Sequence, residues 1–377
     1  MNLRIPSPKE IEALCAYDAK KIVHPRLNDL RSELSNLLHP VTDECVFVMT
    51  GPSGVGKSTV VGSFIRAYQK HHLERMLADP NFVPVVSLRL PAPVAGEFNW
   101  KDTFIRLLTA FEEPLVGRKS TGRLHLELDG ERITNTTRLV REELRRAVEN
   151  CVKNRGTLLL IIDEASHLFI TKNRDSYLLQ FELLKSLANE FNILILLVGA
   201  YDLLKIDGFN GQLTRRTRPI HFRRYTAHDL ERMDPYGKGF VDIVTSLLDA
   251  MPIPYEPCLR SRPDYFLMNS LGCTGHLKTW LRRSLQEAYG TGSKMVTAKI
   301  VERNRQSNKR LKLMAVENQL GELQLEDIDD QEVASLMGFS VVPTLSGTSP
   351  TAMPTKRGRR RPGKRNPSKD PVGGLLS

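Results

Sequence analysis

The sequence predicts an α/β fold: a parallel five-stranded sheet flanked by helices, then a small helical lid and a disordered basic tail. Three observations predict it. Short apolar runs at 45–50, 83–90, 158–162, 193–198 and 219–223 read as buried strands. Segments with helical apolar spacing at 58–71, 100–112, 136–153, 176–190 and 226–233 alternate with them. That alternation argues for a parallel sheet with helices on both faces. Residues 226–300 then lose the strand pattern and read as several helices, interrupted by Asp234-Pro235-Tyr236-Gly237 and Pro252-Ile253-Pro254.

The elements divide the chain into five parts. Residues 1–40 form a helical lead-in, in which Pro8 opens a helix carrying Ile11, Leu14, Cys15, Tyr17 and Ile22. His24-Pro25 breaks it, and a second helical pattern follows with Leu30, Leu34 and Leu37. The α/β core spans 41–225, the helical lid 226–300, and a charged helical extension 301–340. From 341 to 377 proline, glycine, serine and threonine replace apolar periodicity, and the segment reads as a disordered tail.

Composition narrows the function classes. A hydrophobic content of 41% with 26% charged residues is that of a soluble globular protein. The longest apolar runs, near 158–162 and 193–198, are far too short to span a bilayer, so no membrane partner is expected. The first ten residues hold Lys9, Glu10 and two prolines but no apolar core, so no signal peptide is expected. The five cysteines are scattered without a C-x-x-C pair, which points to neither zinc nor a disulfide framework and suits a reducing cytosol. Of the net charge of +11, the stretch 356–370 supplies +7 from eight basic residues and one acidic. Such a tail suits a polyanion, nucleic acid above all, or serves as a solubilising end.

The first motif is Gly51-Pro52-Ser53-Gly54-Val55-Gly56-Lys57-Ser58-Thr59, which fits the phosphate-loop pattern G-x-x-x-x-G-K-[ST] throughout. An apolar strand precedes it, and a helix with Val60, Val61, Phe64, Ile65 and Tyr68 follows. Strand, glycine turn and helix converge backbone N–H groups and a helix N-terminus on an anion. Lys57 then reaches the β- and γ-phosphates of ATP and Ser58 holds Mg²⁺.

The second motif is the apolar run 157–162 ending in Asp163-Glu164. Its strand is expected beside the first one, with Asp163 near the Mg²⁺ of Ser58 and Glu164 placed to polarise the attacking water. The strand 192–198 is expected next to it, its end Gly199-Ala200-Tyr201-Asp202 facing the γ-phosphate. Ala200 cannot hold water there; the Tyr201 hydroxyl or Asp202 is the substitute, unless Asp202 only caps a helix. Arg215, Arg216 and Arg218 precede the last strand. Arg215 or Arg216 is the candidate arginine finger, offered to the γ-phosphate of a neighbouring subunit. Finally, 272–278 opens a helix in the lid, with Thr274 as N-cap and Lys278 one turn in. Lys278 either offers a cation to the bound phosphates or stands as a surface lysine.

Together, the loop, the Asp163-Glu164 strand, LLVGAYDLL at 196–204, GQLTRRTRPIHFRRY at 211–225 and GCTGHLKTWLRRSL at 272–285 resemble the TnsC/TniB group of AAA+ ATPases, over about 24–300. That group serves DNA transposons, including CRISPR-associated ones. The resemblance implies an AAA+ P-loop fold and a cytoplasmic, nucleoid-associated bacterial regulator. It would bind ATP and Mg²⁺ and assemble with copies of itself as a ring or filament on double-stranded DNA. It would also receive a signal from a TniQ- or TnsD-type target selector and recruit transposase subunits. Lys101, Arg106, Arg118, Lys119 and Arg123 follow the second strand, a region that lines the inner face of the ring in similar proteins, and are the candidate phosphate contacts on DNA. Phe98 and Trp100 read as core. The chain departs from the wider AAA+ pattern at Ala200, where a polar residue is common, and at Lys278, where an arginine is common. Both departures suit a slow timer. A replication initiator or helicase loader, and an ATP-binding scaffold with little hydrolysis, are the alternatives.

Overall fold

The computed structural model describes residues 7–35, 45–93, 98–114, 116, 136–170, 175–206 and 217–343. Five parallel strands, β1 (Val46–Thr50), β2 (Val85–Arg89), β3 (Leu159–Asp163), β4 (Leu194–Gly199) and β5 (Thr217–His221), form one sheet in the order β2-β3-β4-β1-β5. The chemistry of each strand matches its place. The central strands β1 and β4 are almost wholly buried, whereas β2 at one edge alternates, with Ser87 and Arg89 exposed. At the other edge β5 contains Pro219, which cannot donate to a second ladder and is tolerated there.

This order corrects one expectation. The Asp163 strand is not the neighbour of β1, because β4 lies between them, pairing Val46↔Ile195 on one side and Leu159↔Leu194 on the other. The uninterrupted apolar run of β4 makes it the better strand to bury on both faces and both edges. The carboxyl ends still align, since Asp163 pairs with Val198 and Val198 with Met49. A parallel sheet delivers all its carboxyl ends to one rim, so one intervening strand does not separate the motifs.

Side chains along each strand alternate between two apolar layers. Phe47, Met49, Leu159, Ile161, Leu196 and Val198 meet α2 (Pro25–Ser35) and α3 (Lys57–His71) on one face. Val46, Val48, Leu160, Ile162, Ile195 and Leu197 meet α5 (Trp100–Ala110), α6 (Thr136–Asn154) and α7 (Asp175–Phe191) on the other. The short α4 (Leu73–Ala78) follows α3. Phe98 and Trp100 meet edge to face and, partly buried, pack against this second layer, in keeping with a core reading.

The lid has its own core. Helices α8 (Ala227–Arg232), α9 (Pro235–Asp249), α10 (Pro263–Ser270), α11 (Thr274–Gly290) and α12 (Ala298–Arg303) follow one another, and Phe240, Val244, Phe266, Leu277, Leu281 and Val301 pack within them. The N-terminal helix α1 (Pro8–Ala19), opened by a Ser7–Glu10 capping box, sends Leu14 and Tyr17 into that core, whereas Leu27, Leu30 and Leu34 of α2 pack on the sheet. The lead-in is thus shared between lid and core. Helix α13 (Asn308–Leu323) packs on the turn after β4, where Arg224 donates from Nε and Nη2 to the Glu322 carboxylate at 2.7 and 2.9 Å. The chain divides into two compact units, 1–325 and 326–377. The second contains α14 (Asp330–Leu336), capped by Asp329. Among the described residues no helix is long and apolar enough to cross a membrane.

Candidate functional site

The loop 51–56 leaves β1 and turns into α3 through Gly54 and Gly56, whose φ angles of +73° and +113° only glycine adopts freely. Gly56 is the N-cap of α3, yet no side chain caps the helix and its first turn holds no acidic residue. The first-turn amides of a helix lack intrahelical acceptors, so this N-terminus is left to an external anion. Lys57 Nζ donates to the carbonyls of Gly51 and Pro52 at 2.8 and 2.9 Å, within the same loop. Burial pulls its pKa below the ordinary lysine value, opposed by the charges of Glu164, Asp163 and Asp202 nearby.

Ser58 and Asp163 stand together. Ser58 Oγ donates to Asp163 Oδ2 at 3.0 Å across 105 residues of sequence. Two hard oxygen donors at the edge of a phosphate loop fit Mg²⁺. Among the described residues no group of three or more His, Cys, Asp or Glu side chains could hold a metal by itself. An ion at this pair would therefore draw its other ligands from phosphate and water, as Mg²⁺ does.

Glu164 takes a left-handed conformation at φ 56° and ψ 39°, rare for a residue other than glycine. Strain of this kind costs of order 1 kcal/mol and collects at functional sites. Its backbone N–H donates to Asp163 Oδ1 at 3.0 Å, and its carboxylate accepts from Arg89 Nη2 at 3.1 Å. Arg89 ends β2 directly opposite Asp163 in the ladder. Sequence reading missed Arg89; the available signal was a charged residue closing an apolar strand.

The other candidates are less concentrated. Tyr201 is buried, and its hydroxyl bonds to His221 Nε2 at 2.9 Å on β5, with Gly321 of α13 against its ring. That engagement leaves Asp202, exposed and close enough to act on Lys57, as the polar group after β4. Arg215, Arg216, Arg118, Lys119 and Arg123 lie outside the described residues. Lys101 and Arg106 lie on α5, where Arg106 Nε is engaged by Asp102 Oδ2 at 2.7 Å. Lys278 Nζ donates to the carbonyls of Asp18 and Lys20 at 2.6 and 2.7 Å, tying the lid to the end of α1. Thr274 is not the N-cap of α11. Cys273 occupies that position, because the Thr274 hydroxyl is drawn to the carbonyl of Val55 at 2.9 Å. Gly275 N–H donates to the Gly54 carbonyl at 2.8 Å, and the His276 ring lies against Gly54. The lid helix therefore grips the phosphate loop directly.

Beside that grip lies a cavity of about 230 Å³. It opens on Gly56 and Thr59 and is walled by Ile22, Leu27, Phe222 and Ile243. Its walls come from the segment between α1 and α2, from the residues after β5 and from the lid. No motif marked the first of these in the sequence.

Residues 42–206 match a family model described as an AAA domain. Solved structures that align with this chain include a Walker-type ATPase of Pyrococcus abyssi, at 17% identity over 82% of this chain and 79% of that one, with a TM-score of 0.44. The Aeropyrum pernix ORC1 protein in complex with DNA aligns at 14% identity over 78% and 67% of the two chains, with a TM-score of 0.47. Cdc6p from Pyrobaculum aerophilum aligns at 15% identity over 77% and 69%, with a TM-score of 0.48. No curated protein matches the sequence. The family match, the five-stranded parallel sheet and the loop together define an AAA+ phosphate-loop fold with a helical C-terminal part.

Proposed function

We propose that this chain is an AAA+ ATPase that binds and slowly hydrolyses ATP to switch its own assembly on double-stranded DNA, and that it regulates transposition. The observation that carries the nucleotide reading is the 3.0 Å contact of Ser58 with Asp163 beside Lys57 and Glu164. In this reading the loop amides and Lys57 hold the β- and γ-phosphates. Ser58 and Asp163 hold Mg²⁺, which supplies neutralisation of the phosphate charge when bound. Glu164 takes a proton from the water whose oxygen attacks the γ-phosphorus, as the bond to the β–γ bridging oxygen breaks. The Arg89 pair must open for Glu164 to do so, and Ala200 offers no polar side chain to the same water. Both features favour slow turnover.

The DNA and transposition readings rest on the resemblance carried by 196–204, 211–225 and 272–285 and on the basic residues after β2. Arg215 or Arg216 acts in trans in this account, which requires a ring or filament of copies. Transposase subunits and a TniQ- or TnsD-type selector are the partners it implies. A replication initiator or helicase loader would use the same nucleotide chemistry, and stimulation of a transposase separates the two.

The test is Glu164→Gln. Its turnover should fall roughly 10²–10⁴-fold while ATP binding persists, the range expected for losing a general base. Its assemblies on duplex DNA, followed by sedimentation or electron microscopy, should outlive those of the unmutated protein. Normal hydrolysis by this variant overturns the role of Glu164. A protein that stays monomeric and off DNA when saturated with a non-hydrolysable ATP analogue overturns the DNA reading.

A further inference from the structure

Helix α13 (Asn308–Leu323) carries two opposite faces. On one, Leu311, Asn318 and Gly321 are buried, with Gly321 against the Tyr201 ring. On the other, Leu313, Val316, Leu320 and Leu323 are between 45% and 71% exposed. At 3.6 residues per turn, these four lie within about 40° of the direction opposite Asn318. Their spacing of three, four and three residues is that of a coiled-coil seam. An apolar stripe on a helix is ordinarily turned toward a core. Among the described residues nothing buries this one, and a contiguous exposed apolar surface marks an interaction site.

The charges along the helix say what covers the stripe. Lys309, Arg310 and Lys312 stand at its start, whereas 313–343 holds seven acidic residues and no basic one. Of the seven, Glu322 is engaged by Arg224. The first turn of α13 has no acidic residue, its last turn no basic one, and the Ser307 N-cap makes no side-chain cap bond. This order opposes the helix dipole, which favours anions at the start and cations at the end, so it destabilises the helix in isolation. A second copy running antiparallel reverses the sign of that effect, because the basic start of each helix then meets the acidic side of the other. A parallel copy would set like charges together. With a two-fold axis at the level of Asn318, Leu313 faces Leu323 of the second copy and Val316 faces Leu320. The stripe points away from the residues that α13 packs on, so the two bodies lie on opposite sides of the pair.

We propose that α13 is a self-association surface, through which two copies of this chain pair antiparallel along Leu313, Val316, Leu320 and Leu323. The contact is isologous and closes on itself, unlike the head-to-tail contact that an arginine finger makes in a ring or filament. It uses no residue of the phosphate loop, so it needs no nucleotide.

Sedimentation of the full chain without nucleotide, from about 1 to 200 µM, should show a monomer–dimer equilibrium with Kd on the order of tens of micromolar, as suits an interface below the standard size. Leu320→Glu places a charge in the seam and should raise Kd roughly tenfold or more. Leu320 is exposed in the monomer, so Tm of the variant should not change. Orientation is read by cross-linking in a background with the exposed Cys15 and Cys258 replaced by serine. Val316→Cys mixed with Leu320→Cys should form an intermolecular disulfide faster than either variant alone. A chain that stays monomeric at the highest concentration overturns the proposal, and needs no mutation to do so. Association that Leu320→Glu leaves intact, or that appears only with ATP, overturns it as well, since another surface then carries it. Val316→Cys that cross-links to itself as fast as the mixture does overturns the antiparallel arrangement.

Discussion

The phosphate loop and the cavity beside it are built on opposite plans. The phosphate end is local: nine consecutive residues and the end of one strand supply the loop, Lys57, Ser58, Asp163 and Glu164. The cavity is assembled from the α1–α2 connection, the residues after β5 and the lid, brought together over more than 250 residues of sequence. A cradle of backbone amides demands particular residue types, glycine where φ is positive and a lysine at a set distance. An apolar wall accepts Ile, Leu, Val or Phe almost equally and leaves no signature. The phosphate loop is therefore legible in the chain, while the cavity beside it exists only where the lid meets the rest of the fold.

The strongest way to break this contrast is Lys57→Ala. ATP affinity should fall by ~100-fold or more, since charge-assisted contacts to phosphate are among the stronger hydrogen bonds. The fold should not suffer. Burial already disfavours the charged form of Lys57, and removing a partly desolvated cation relieves that penalty. Tm without nucleotide should stay level or rise slightly, and titration calorimetry should lose the ATP signal. A Tm lower by many degrees would make Lys57 a structural residue and undo the division between loop and cavity.

A pH titration sharpens the other side. His24 in the cavity wall and His221 under Tyr201 are both held at about 4, chiefly by burial. Their folded values lie below the unfolded value of 6.5, so the unfolded chain takes up protons that the fold refuses between those limits. Stability is fully present above pH 6.5 and is lost as pH falls toward 4. At 1.36 kcal/mol per unit, and discounted for partial solvent exposure, each histidine should account for about 2 kcal/mol. Chemical denaturation at pH 7 and at pH 4.5 measures it. The His24→Phe and His221→Phe variants should each lose part of the slope, and slopes equal to that of the unmutated protein would refute the assignment.

The same contrast explains what could be read in advance. All five strands and the helices around them were legible because period-2 and period-3.6 patterns are local. Strand order was not. The Asp163 strand was expected beside β1, and β4 stands there instead, because chain order does not say which strand takes the central slot. Thr274 has the right chemistry for an N-cap, yet its hydroxyl bonds to Val55, a residue no local rule would connect to it. The mixed allegiance of the lead-in, α1 with the lid and α2 with the sheet, depends on which apolar stripe meets which core. His24 looked like part of a helix break. Its burial and its bonds to Leu27 and Tyr225 appear only in the fold, since Tyr225 lies 201 residues further along the chain.

The smallest effect is expected at Arg89, and it tests whether the phosphate end is as self-contained as its motif suggests. Arg89 belongs to neither motif, yet register places it opposite Asp163 and its guanidinium lies 3.1 Å from the Glu164 carboxylate. The side chains are 70% and 38% exposed, so the pair is worth at most about 1 kcal/mol. If it holds Glu164 away from the attacking water, Arg89→Ala should raise basal ATP turnover by no more than about fivefold, the factor that 1 kcal/mol allows. Tm should not change. A fall in turnover would instead mean that Arg89 positions Glu164 for the reaction, and the local phosphate end would need the neighbouring strand to complete it.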